Sequence, residues 1–424
     1  MESQNNVIKG DICYSESQSA LHLAANSYLV CLDGRSAGVF PRIPEQYAHL
    51  PLADYTGKLV LPGLTDLHTH APQYSFRALG MDLELLDWLE THAFPEEAKF
   101  SSINYADLAY TALAADIKRG PNTRICFFAT SHVAATLRLM DIMESSGLVS
   151  MVGKVNMDRN APDAIREPDA ETAASRTVAW LEQCAAYKNT RPILTPRFIP
   201  SCTDALMHKL GEIQKRYGLP VQSHLSENQK EVAWVRELCP DSRFYGDAYA
   251  RFGLFGGDAP TVMAHCVWSG EAETRLLQER GVYVAHCPQS NSNLSSGIAP
   301  IRRFMDAGVA LGLGSDVAGG AHASIFRAMT DAIQVSKLRQ CLIDQTQAAL
   351  SLEEAFYMGT LGGGSFFGKV GSFALGYELD ALVIDDENLA PPFALSVRER
   401  LERVVYLSDD RNILAKYVRG KRLF

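Results

Sequence analysis

The sequence predicts an α/β protein: a (β/α)8 barrel of the TIM type, with a small β-sandwich domain built from both termini. Three observations point there. Through the middle of the chain, short β-rich runs alternate eight times with longer stretches of helical periodicity, the pattern of a barrel in which each strand is followed by a helix. Residues 1–63 and 369–424 instead carry short β-like runs broken by turn residues. The histidines and acids that bear chemistry fall at the C-terminal ends of the middle runs, the face on which barrel enzymes place their catalytic groups.

The eight runs are residues 64–68, 124–130, 148–157, 192–198, 220–224, 261–266, 282–287 and 310–316. Between them, 105–118, 171–187, 204–217 and 271–280 have apolar residues at helical spacing. Gly218-Leu219-Pro220 stops one helix directly before a strand. A doubly wound open sheet gives a similar alternation, so the barrel rests on the count. In the flanks, 27–32 and 379–384 read as strands, and 416–424 as a hairpin turning at Arg419-Gly420-Lys421. The expected division is 1–63 and 369–424 as two parts of one β domain, with the barrel at 64–368, because each flank is short for an independent core and barrel termini can lie close together.

Composition excludes several classes of function. With 424 residues, 47% of them hydrophobic, the chain can bury a large core. A net charge of -9 without a basic block argues against nucleic acid or an anionic membrane as partner. No apolar run approaches the roughly 20 residues of a membrane span, and residues 1–10 lack the apolar stretch of a secretion signal. The nine cysteines are odd in number, irregularly spaced and without a CxxC. This fits reduced thiols in a cytoplasmic, soluble protein.

The strand ends carry the chemistry. The first run ends in Asp66-Leu67-His68-Thr69-His70, the fourth at Arg197-Phe198, the fifth in Ser223-His224 with Glu227 just beyond. The sixth ends at His265-Cys266, the seventh at His286-Cys287 and the eighth at Gly314-Ser315-Asp316. A His-x-His pair in a strand puts both imidazoles on one face. With His224 and Asp316 at two other strand ends, the set His68, His70, His224 and Asp316 suits one Zn²⁺ or Fe²⁺ with a position left for water. Glu227 is placed to carry protons for such a water; the competing reading is an exposed acid at the start of a helix over 228–238. His265 is a candidate second electrophile or a satisfied core histidine. His286 reads as structural, and Cys266 and Cys287 as packing turned toward the helix layer. The string G-x-x-x-x-G-K at 363–369 is followed by Val370 where a phosphate loop needs Ser or Thr, and is rejected. HExxH and the cytidine-deaminase pattern do not occur.

The string from Pro62 to His70 resembles the opening signature of the amidohydrolase superfamily, and His224, His265 and Gly314-Ser315-Asp316 follow in its order. Within it, His70-Ala71-Pro72-Gln73-Tyr74, residues 85–100, Pro196-Arg197-Phe198, Ser223-His224-Leu225-Ser226-Glu227 and residues 287–297 resemble the guanine deaminase family. The resemblance implies a distorted (β/α)8 barrel and one divalent metal on His68, His70, His224 and Asp316, zinc first and iron as the alternative. It implies hydrolysis of guanine to xanthine and ammonia, in purine catabolism or salvage. Catalysis would fall to Glu227, His265 and Asp316. The purine would be held by Gln73, Arg197 and Phe198 beside His70, His224, Glu227 and Asp316. A homodimer is also implied. Two other readings stay open: an amidohydrolase acting on another aminated or halogenated heterocycle, and a barrel that has become a non-catalytic scaffold.

Overall fold

The computed structural model describes residues 4–424. The chain opens with strands Asn6–Ser15 (β1), Leu21–Leu32 (β2), Arg35–Phe40 (β3) and Leu52–Pro62 (β4). Eight parallel strands then line the middle: Leu64–His70 (β5), Asn122–Phe128 (β6), Val149–Gly153 (β7), Thr190–Pro192 (β9), Val221–Leu225 (β11), Thr261–His265 (β12), Tyr283–His286 (β13) and Ala310–Leu313 (β14). Two short segments, Val155–Asn156 (β8) and Thr195–Pro196 (β10), pair beside β7 and β9. Ala381–Ile384 (β15), Ile413–Val418 (β16) and Lys421–Arg422 (β17) complete the chain.

All eight predicted middle strands are present, with ends shifted by a few residues. They form two four-stranded halves, β5-β6-β7-β9 and β11-β12-β13-β14. The halves meet through a single parallel bridge between Leu194 and Val221. On the other side the Asp316 N–H donates to the His68 carbonyl at 2.8 Å. The barrel thus closes through the backbone of two residues of the chemical cluster. The helices fall where periodicity put them: Ile103–Arg119, Ala170–Gln183, Asp204–Tyr217 and Glu271–Glu279. Each lays an apolar stripe on the barrel.

Strands from both ends join in one seven-stranded sheet, β17-β16-β15-β4-β1-β2-β3. The expected β-sandwich is thereby refined. The sheet is continuous, bent at bulges in β1 between Gly10 and Ile12, and helix Val397–Leu407 packs against it. Gly10 sits where a Cβ would come within 2.7 Å of Val60, so β1 and β4 approach closely there. The predicted C-terminal hairpin forms with Arg419 at φ 48° and Gly420 at φ 72°. Two left-handed residues make the tight turn that matches strand twist.

Inside the barrel, Leu67, Cys126, Met151, Ile193, Val262, Ala264, Ala285 and Cys287 form one cluster. The predicted outward orientation of Cys287 is corrected by this, and Leu67 shares the interior with it. Residue alternation fails at Leu67 because the β5–β6 register slips between Asp66 and Thr69. Cys266 does pack outward, among helix residues. The described residues include no helix long and apolar enough to cross a membrane.

Lys416 lies fully buried on β16 and donates to the carbonyls of Ile117 and Asn122, both at 3.0 Å. Burial lowers its pKa from 10.5 to about 7. The folded state therefore binds fewer protons than the unfolded state between about pH 7 and 10.5, and stability contributed by this group rises with pH across that window. Lys416→Met is expected to remove that rise, which urea unfolding at pH 7 and pH 9 would measure. An equal pH dependence in the variant would refute it.

Candidate active site

The ends of β5, β11, β12 and β14 converge on one buried cluster. His68, His70, His224, His265 and Asp316 are all at most 8% exposed. Asp316 Oδ1 lies 3.1 Å from His68 Nε2 and 3.6 Å from His70 Nε2. His70 Nε2 and His224 Nε2 face each other at 3.1 Å. The Arg197 carbonyl accepts from His224 Nδ1 at 2.6 Å. That bond places the His224 proton on Nδ1 and leaves the Nε2 lone pair facing the cluster.

Burial lowers the pKa of His68 and drives those of His70 and His224 well down. Neutral imidazoles with free lone pairs are the ligand form. Burial pushes Asp316 upward, but His68, His265 and His70 outweigh it and hold the carboxylate well below its usual range. His68 Nε2 is buried without a well-formed hydrogen bond among the described residues. The donor set and this orphaned nitrogen fit a divalent cation of the borderline type. Ligand atoms of His68, His70 and Asp316 lie within 4.8 Å of one another, as do those of His68, His224 and His265. Cys287 makes a similar group with His265 and Asp316, but burial raises its thiol well above the usual range, which disfavours a thiolate ligand.

The supporting contacts are equally defined. Asp66 accepts from the backbone of Ser315 at 3.0 Å and of His68 at 3.2 Å, tying β5 to the turn after β14. The Phe128 ring packs against three imidazoles, 4.9 Å from His68, 4.7 Å from His70 and 4.8 Å from His224. Ser226, His265, Cys266 and Asp316 all have positive φ. Such strain, of order 1–3 kcal/mol per residue, is held where a side chain must be aimed.

Glu227 is 4% exposed, which settles against the exposed helix-start reading. Helix Gln229–Leu238 is capped instead by Asn228 with Glu231. Glu227 accepts from Ser296 Oγ at 3.3 Å, and its other oxygen is 3.4 Å from His265 Nε2. Burial, then Glu231 and Asp316, raises its pKa well above the ordinary carboxylate value. Asn291 Oδ1 accepts from His265 Nδ1 at 2.8 Å, which aims Nε2 at Glu227 and Asp316. His265 is therefore part of the cluster. Asn291→Leu is expected to lower kcat about 10- to 100-fold by freeing the ring, with thermal stability measured alongside; an unchanged kcat would remove His265 orientation from the mechanism. His286 is buried and lines a separate cavity with Ala299 and Ile301, and neither of its ring nitrogens has a hydrogen-bond partner among the described residues.

A cleft opens onto the cluster. Gln73, Arg197 and Phe198 line it together with His70, His224, Glu227, His265 and Asp316. Leu85, Trp88, Leu89 and Leu294 give it apolar walls. Sequence reasoning missed those walls, and it missed Glu97, which accepts from Gln73 at 2.9 Å and from both Nη atoms of Arg197 at 2.6 and 3.0 Å. It also missed Phe128, Asn291 and Glu231. The only available signals for Glu97 and Asn291 were their places inside the strings at 85–100 and 287–297.

The model of the amidohydrolase family matches residues 59–423. The chain belongs to the amidohydrolase family. Among the relatives of this amidohydrolase, the guanine deaminase of Dictyostelium discoideum is 37% identical over 379 residues, covering 87% of this chain and 83% of the relative. The Homo sapiens guanine deaminase is also 37% identical, over 86% of this chain and 82% of its own length. The crystal structure of guanine deaminase from C. acetobutylicum, with guanine bound in its active site, superposes with a TM-score of 0.96. It is 43% identical and covers 99% of this chain and 100% of its own. A triazine hydrolase at 17% identity and a TM-score of 0.85 shares the fold.

Proposed function

We propose that this amidohydrolase is a guanine deaminase, hydrolysing guanine to xanthine and ammonia. The observation that carries the proposal is one cavity that joins the His/Asp cluster to Gln73 and Arg197. The likeness to guanine deaminases over most of the chain supports the same substrate.

His68, His70, His224 and Asp316 would hold one divalent ion, zinc in our reading and iron as the alternative, and this ion would supply a water acidified toward neutral pH. Arg197 and Gln73 hold the O6 and N7 edge of the purine, and Phe198 adjoins them. Glu227 takes a proton from the attacking water and gives it to N3 as the water oxygen bonds to C2. A raised pKa suits a group that must both accept and return a proton. Asp316 assists by accepting from the same water. His265 steadies the oxygen on C2 through Nε2. The second proton of that oxygen passes to the exocyclic amine, the C2–N bond breaks and ammonia leaves, with the C2 carbonyl of xanthine behind.

The same reading keeps 1–63 and 369–424 as one β domain around a barrel at 64–368. It also keeps a cytoplasmic homodimer serving purine catabolism or salvage. The test is a steady-state comparison of guanine with adenine, cytosine and a melamine-type ring, beside elemental analysis. Guanine preferred, with about one metal per chain, is expected. A guanine rate no better than the others would point to another heterocycle, and a folded protein that binds no metal would point to a scaffold.

A further inference from the structure

We infer that Glu97 is the positioning residue that fixes which heterocycle edge the cavity accepts, by locking the hydrogen-bonding polarity of Gln73 and the plane of Arg197. This rests on the guanine deaminase reading and deepens it. Helix Phe94–Ala98 carries Glu97 into the barrel mouth, where the side chain is 2% exposed. Its Oε1 accepts from Gln73 Nε2 at 2.9 Å and Arg197 Nη2 at 3.0 Å, and its Oε2 accepts from Arg197 Nη1 at 2.6 Å. The Arg197 guanidinium also lies 5.1 Å from the Phe94 ring centroid.

The consequence follows from donor and acceptor inventory. A glutamine amide has nearly the same shape either way round, so an unheld one can offer a carbonyl or an NH₂ to a ligand. Here one end of Gln73 faces the Glu97 carboxylate, whose two oxygens also accept from Arg197, and its Oε1 accepts the backbone N–H of Ala318 at 3.2 Å. The amide therefore has one orientation, and its remaining Nε2–H is a donor. Arg197 has five N–H groups and spends two on Glu97. All of its remaining groups are donors. The fork thus presents donors to the ligand and suits an edge of two acceptors, such as O6 and N7 of guanine. A purine carrying an amine at C6 would meet donor with donor, leaving buried groups unpaired. Sites built this way reject the mismatched analogue strongly.

The test compares guanine with 2,6-diaminopurine, which keeps the reacting C2 amine but replaces the O6 acceptor by a donor. Wild type is expected to prefer guanine in kcat/KM. In Glu97→Gln the residue at 97 can itself turn, Gln73 is released, and the guanine to 2,6-diaminopurine ratio is expected to fall about tenfold or more, mainly through KM for guanine. Because both substrates are measured on one preparation, the ratio does not depend on the fraction folded or metal-loaded. Glu97→Asp keeps the charge but cannot span both partners, and serves if the glutamine variant does not accumulate. Its ratio is expected to fall about threefold or more. Both rates dropping in parallel with the ratio unchanged would overturn the inference. A wild type that does not prefer guanine would instead overturn the functional reading beneath it.

Discussion

Glu227→Gln is expected to lower kcat on guanine about 10³-fold while leaving metal content and KM within a few-fold of wild type. The substitution is isosteric and replaces none of the four proposed ligands. The glutamine can still accept from Ser296, which lies 3.3 Å away, so the local packing is preserved. What it cannot do is take a proton. Burial raises the Glu227 pKa, with Glu231 and Asp316 adding to it. A base of this kind must be ionised in the free enzyme. The wild-type kcat/KM is therefore expected to rise with pH on its acid side through a value above the ordinary carboxylate range, near 4.3 in model peptides. The variant is expected to lose that limb. Pre-steady-state and pH-profile measurements on metal-matched samples would check both. Metal retained with activity largely unchanged would sink the role assigned to Glu227.

The two halves of this site were unequally legible in the sequence. His68 and His70 could be paired because strand periodicity is local, and His224 and Asp316 because strand ends of a barrel share a face. The detail behind the pairing was not local. Register slip in β5 turned Leu67 into the barrel interior, and a slip depends on what the neighbouring strand offers. Glu97 reaches Arg197 across 100 residues of sequence. On its own helix it reads only as an acid in the first turn, beside Glu96. Asn291 belongs to a short helix that reads as a polar loop, and only the fold sets it against His265. The burial of Glu227 was likewise invisible, since a glutamate preceding a helix is usually solvated. The barrel itself was legible because eight periodic segments repeat one rule. The bending of the flanking sheet was not, because bulges such as that near Gly10 arise from close packing on Val60.

Removing the metal is expected to reduce turnover below about 10⁻³ of the holoenzyme rate, because an unassisted water is not acidified toward neutral pH. Dialysis against a chelator followed by one equivalent of Zn²⁺ or Fe²⁺ should restore activity, and the ion that restores more identifies the native one. Asp316→Ala is expected to fail to recover under either ion. It removes an acceptor that lies 3.1 Å from His68 and 3.6 Å from His70, and it leaves three imidazoles facing one another. The same substitution carries a stability signature. The Asp316 carboxylate is held below its ordinary pKa of 3.8 despite burial, by His68, His265 and His70. Its contribution is therefore present above the unfolded value and lost only as pH falls through the lower folded value. Metal-free Asp316→Ala should then melt below metal-free wild type at pH 7, with the gap narrowing only in strong acid. Added Zn²⁺ should raise Tm in the wild type, since an ion bound to the folded state alone stabilises it by mass action, and should raise it far less in the variant. Equal metal-induced shifts in the two proteins would show that Asp316 is not a ligand, and His265 would then take its place beside His68 and His224, the other group whose nitrogens lie within 4.8 Å of one another.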